Sequence, residues 1–67
     1  MAKMRTFYEV VSAYFDDGHV VARMGREVLA AEKPRDSFFS RGDHDVYHDF
    51  FSSVQEAENF VKNARFA

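Results

Sequence analysis

The sequence predicts an α+β domain with two layers: a three-stranded antiparallel sheet, made of a β-hairpin and a third strand, with one C-terminal helix packed on one face. Three observations carry this. A long β-branched and aromatic stretch at 5–15 meets Asp16, Asp17 and Gly18 and is followed by a second alternating stretch. Residues 44–51 alternate again. From Ser53 onward the apolar period lengthens from two to between three and four.

The first strand is residues 5–15, with Phe7, Val11 and Phe15 on one side and Tyr8, Val10 and Tyr14 on the other. Asp17-Gly18 is a hairpin signal, because both residue types accept the positive φ that tight turns require. The return strand runs from about residue 19 to 31. Its even positions are apolar except for Arg26, and its odd positions, with Arg23 and Glu27, are more polar. The pattern falters at Gly25, which predicts a bulge or bend there. A helix over 26–33 competes on propensity, but no N-cap precedes it, so strand is the preferred reading.

Pro34 ends that element and opens a connection read as residues 34–43, which contains Phe38 and Phe39. The third strand is 44–51. His44, Val46, His48 and Phe50 share one side, taken as the inner one; Asp45, Tyr47, Asp49 and Phe51 share the other. Ser53 and Glu56 then form a capping box. Val54, Ala57, Phe60, Val61 and Ala64 make one apolar stripe, with Glu56 and Glu58 early and Lys62 late, as the helix dipole favours. The whole of 1–67 reads as one domain without repeats or low-complexity tracts.

Composition narrows the function. The apolar fraction, 46%, is too high for a disordered chain, and no apolar run approaches the ~18 residues that span a bilayer. The first six residues carry charge with no apolar block behind them, so no secretory signal and a cytoplasmic location are expected. Zero Cys excludes disulfides, thiolate metal sites and thiol catalysis. Net charge −2 is too acidic for a dedicated nucleic-acid binder. It is also too mild for a DNA mimic with a dense acidic face.

No nucleophile elbow, phosphate-cradling Gly run or zinc-protease motif appears, so no enzyme activity and no cofactor are expected. His44 and His48 are the only metal-like spacing. On a strand their Cα atoms stand about 13–14 Å apart, too far for two ligands of one ion, and no metal is expected. Arg41-Gly42-Asp43 is the tripeptide that integrins recognise, but it reads more simply as a turn before a strand.

What remains is binding. One helix shields one sheet face, and eight Phe with three Tyr exceed what so small a core can absorb. The candidate partner-binding residues are Tyr8 and Tyr14 on the sheet, Phe38 and Phe39 in the connection, and Asp43, Asp45 and Asp49, whose charge suits a basic partner. Residues 46–62 (Val46, Tyr47 and the Phe50-Phe51 pair, a Ser cap, then a Glu-rich helix with Phe60) resemble small phage and mobile-element proteins, among them anti-CRISPR proteins. That resemblance implies a non-catalytic protein that binds a CRISPR-type effector and blocks its nucleic-acid or partner site. The alternative is a small nucleic-acid-binding or regulatory module that uses the open sheet face, with aromatics stacking on bases. A third reading is a homodimer in which the surplus aromatics pair with themselves.

Overall fold

The computed structural model describes residues 3–65, so the ends of the 1–67 reading lie outside the described residues. Its elements are β1 (Arg5–Phe15), β2 (Val20–Ala30), β3 (Ser37–Arg41), β4 (His44–Phe51) and α1 (Val54–Arg65). The sheet is antiparallel and has four strands rather than three, in the order β2-β1-β4-β3. The added strand is β3, which falls inside the segment read as a connection. Ser37 to Arg41 pair with His48 to His44, so Phe38 and Phe39 are strand residues and Gly42-Asp43 is a two-residue hairpin turn.

The first hairpin turns where Asp17-Gly18 places it. The Gly18 amide donates to the Phe15 carbonyl (2.9 Å) and the Phe15 amide to the His19 carbonyl (3.0 Å), with Gly18 at φ +97°. That is the three-residue loop whose last position needs a left-handed residue. The Asp16 amide donates to the Asp43 carbonyl (3.0 Å) and ties the two hairpin turns together.

β2 remains a strand to Ala30, and its irregularity falls at Gly25. Tyr8 pairs with Glu27 and Val10 with Met24, so Gly25 and Arg26 together stand opposite Glu9. A bulge of this kind resets the alternation. Arg23 and Arg26, read from the sequence as facing opposite ways, therefore share one face.

Helix α1 begins as its cap predicts: the Glu56 amide donates to Ser53 Oγ at 3.2 Å. The Glu56 carboxylate accepts from Ser52 Oγ (3.3 Å) instead of reaching back to the Ser53 amide. The helix lies over β2 and β1, meets β4 at its margin and does not touch β3. Its stripe presents Ala57 and Ala64 to Val10, Ser12 and Ala22, all of them buried. Small side chains on both layers bring helix and sheet close, and the two-layer body is only 14 Å thick between Cα atoms in its thinnest direction.

The register decides which face is covered. Tyr8, Val10, Ser12 and Tyr14 of β1 face the helix, together with Tyr47, Asp49 and Phe51 of β4. The set His44, Val46, His48 and Phe50 is on the other face, contrary to the expectation that it lies inward. Phe50 is nevertheless buried, as is Phe7 at 1% exposure. Connection 31–36 runs at the same end of the sheet. It leaves β2 beside Arg5 and enters β3 opposite His48, so it crosses β1 and β4 at the end of the sheet where Phe7 and Phe50 lie. Asp36 Oδ1 accepts the Phe50 amide at 3.0 Å, extending the ladder past the first residue of β3. The helix thus covers one face along β2 and β1, while on the other face burial is confined to the end that holds Phe7 and Phe50.

Candidate functional site

Because the helix stops short of β3, the half of its own sheet face nearest β3 stays open. An aromatic row crosses that area from strand to strand. Tyr14 on β1 meets Tyr47 on β4 edge to face (centroids 5.3 Å, 86°), and Tyr47 stacks on Phe38 of β3 (5.0 Å, 28°). Both geometries are ones that aromatic quadrupoles favour. Alternation along β4 sets Asp45 and Asp49 on either side of Tyr47, facing the same way. Asp45 accepts a hydrogen bond from Ser40 Oγ at 2.7 Å. Burial pushes the Asp49 carboxyl above the usual carboxylate range, and the nearby Asp36 adds to this, while Lys33 opposes it. Between the row and the helix lies a cleft of about 260 Å³ lined by Ser12, Tyr14, Tyr47, Asp49 and Phe60.

The opposite face carries the other sign. Val11, Ala13, Val21 and Val46 floor a shallow trough whose walls include Arg23, Arg41, His44, His48 and Phe39. Arg41 lies over the Phe39 ring (5.3 Å), and Phe39 is tilted against His48 (5.7 Å). Below the trough Glu9 is 7% exposed, with its Oε2 3.3 Å from His48 Nδ1 and 3.7 Å from Arg26 Nε. A carboxylate buried this deeply is stable only when paired, and those two side chains supply the pairing.

At the turn end, the Phe15 ring stacks on His19 (4.2 Å) and on His44 (4.7 Å). Each histidine holds an aspartate: His19 Nδ1 with Asp17 (2.5 Å) and His44 Nδ1 with Asp43 (2.6 Å). The hydrogen bond from the His19 amide holds the Asp17 carboxyl below its ordinary value, and the His44 ring does the same for Asp43. Among the described residues no group of three or more His, Asp or Glu is placed to hold a metal ion.

The seven residues singled out from the sequence divide among four places. Tyr14, Phe38, Asp45 and Asp49 come together in the acid–aromatic area. Tyr8 lies on the same face, half-buried beside Phe51 and away from the row. Phe39 points into the basic trough, and Asp43 sits in the β3–β4 turn. Phe38 and Phe39 are 54% and 45% exposed, so the surplus aromatics do reach solvent, though on opposite faces. Tyr47 joins the row without having been singled out. Its signal was the alternation Asp45, Tyr47, Asp49, which places an aromatic between two acids on one side of a strand.

Comparison with protein-family models, with curated proteins and with solved structures found no match. No helix among the described residues is long and apolar enough to cross a membrane.

Proposed function

We propose that this chain is a non-catalytic interaction protein that docks a basic protein surface on its acid–aromatic area. The observation that supports this reading is the row Tyr14, Tyr47, Phe38, left open by the short helix and bordered by Asp45 and Asp49. Rigid aromatic rings supply contact area at low entropic cost, and flanking carboxylates select a partner of opposite charge. In its most concrete form the partner is a CRISPR-type defence effector. Such effectors hold their nucleic acid in a positively charged channel, and an acidic, ring-bearing surface is complementary to it. The chain would then act by occlusion, as an inhibitor carried by a phage or mobile element.

The test is affinity for a lysine-rich peptide at low and moderate salt, with Asp45→Asn/Asp49→Asn and Arg23→Ala variants alongside the wild type. The double variant is expected to bind at least tenfold more weakly, and Arg23→Ala to bind as wild type does. Equal affinity for all three proteins would overturn the reading. For the inhibitor form, the chain is expected to slow DNA cleavage by at least one of a panel of guide-loaded effectors, and the double variant to lose that effect.

A second reading draws on the trough. The bulge at Gly25 brings Arg23 and Arg26 to one face with Arg41, a cationic grouping the sequence pattern did not show, with the His44 and His48 rings beside it. Single-stranded nucleic acid, tracked by these cations and stacked on Phe39, would bind there. Oligonucleotide binding that Arg23→Ala weakens and Asp45→Asn/Asp49→Asn does not, in a protein indifferent to the basic peptide, would favour this reading over the first.

A further inference from the structure

The Ser12 hydroxyl is 1% exposed and, among the described residues, has no hydrogen-bond partner. It lines the cleft between the aromatic row and the helix, with Tyr14, Tyr47, Asp49 and Phe60. A buried hydroxyl without a partner is uncommon in folded proteins and calls for an explanation. Asp49, on the same wall, makes no ion pair within 4 Å among the described residues. Among the described residues the cleft therefore offers a carboxylate without an ion pair, an unused hydroxyl and three aromatic rings, and its lining holds no Lys or Arg.

Each ingredient narrows the ligand. The carboxylate excludes anions. Three of the lining residues, Tyr14, Tyr47 and Phe60, are aromatic, and aromatic rings attract cations through their quadrupoles. Ser12 Oγ, closed to solvent at the floor, can accept one hydrogen bond from a guest that reaches it. About 260 Å³ falls short of the ~300 Å³ or more of sites for drug-sized ligands. We infer that this cleft is a receptor for a single alkylammonium group, the end of a lysine side chain projecting from the protein partner. This rests on the acid–aromatic reading above and gives it an anchor: the row contacts the partner's surface while one lysine enters between sheet and helix. Burial has already raised the Asp49 carboxyl, which is the direction an unneutralised acid takes, and a bound ammonium would return it toward its ordinary range.

The experiment is an NMR titration of the full chain with Nα-acetyl-lysine methylamide, and in parallel with the norleucine counterpart, which keeps the chain and lacks the charge. Saturable shifts are expected at Tyr14, Tyr47 and Phe60 with the lysine compound and not with norleucine. Asp49→Asn is expected to weaken binding tenfold or more, and Ser12→Ala to weaken it a few-fold while the spectrum stays that of a folded protein. Equal responses to both compounds, or a lysine affinity that Asp49→Asn leaves unchanged, would overturn the inference. A lysine-rich peptide that still binds with shifts at Phe38 and Asp45, while the lysine compound gives none, would remove the receptor and leave the docking surface standing. Failure of both would remove the two together.

Discussion

Gly25→Ala tests the bulge and the buried carboxylate at once. Gly25 does not have positive φ, so its backbone would accept alanine. At such a site the substitution ordinarily stabilises by about 0.4–1 kcal/mol, because the unfolded chain loses freedom. Here an added Cβ would meet Glu9 Oε1 at 2.5 Å and its Cδ and Cγ at 3.2 Å. Glu9 cannot swing away freely, since it is 7% exposed and held by His48 and Arg26. Overpacking of this kind costs about 1–3 kcal/mol. The close approach therefore outweighs the entropic gain, and a net loss of about 1–2 kcal/mol is predicted. In a domain of this size that lowers Tm by roughly 4–8 °C per kcal/mol. In a Glu9→Ala background the obstructing atoms are gone, and Gly25→Ala should become neutral or stabilising. Thermal and urea denaturation of the four proteins in this cycle would read the coupling directly. A Gly25→Ala effect of the same sign and size in both backgrounds would show that Glu9 is not what the added methyl group meets.

Two further outcomes follow from the packing and the charges. Phe7→Ala removes a ring that is 1% exposed, at a cost of about 3–5 kcal/mol. That equals the ~3–5 kcal/mol one small core supplies, so circular dichroism should show a largely unfolded chain at 25 °C. Asp49→Asn should raise Tm at pH 7. Because the folded pKa of Asp49 lies above its unfolded value, the native state binds that proton more tightly, and ionisation destabilises the fold. The penalty is absent below the unfolded carboxyl pKa and sets in as pH rises through the folded one. The variant's advantage should therefore shrink as pH is lowered from 7 toward 4, as a pair of Tm-against-pH curves would show.

Much of the fold is legible where local chemistry acts alone. Asp17-Gly18 specifies its turn, Gly25 its bulge, and Ser53 with Glu56 the start of the helix. Strand β3 escaped because five residues between Pro34 and Gly42 give alternation too little length to register. Gly42-Asp43, the turn that would have revealed it, looked like the end of a loop. The facing of β4 escaped for a different reason. Alternation tells which residues share a side, and both sides of 44–51 mix polar with apolar groups. Which side meets the helix is decided by tertiary packing, and Phe50 is buried on the side away from the helix, its amide held by Asp36 of the connection 31–36. The basic trough escaped because period-two counting was carried through Gly25, although a bulge at that residue moves Arg26 to the face of Arg23. The aromatic row escaped in part, since Tyr14, Tyr47 and Phe38 belong to three strands and meet only through register.

Docking on the acid–aromatic area is tested most directly by mapping, with amide and ring chemical shifts, where a lysine-rich peptide touches the full chain. Perturbations are expected to gather at Tyr14, Phe38, Asp45, Tyr47 and Asp49 and to spare Val11, Val21, Arg23 and Phe39. Perturbations gathered instead on those last four residues, across the sheet from the helix, would contradict that docking.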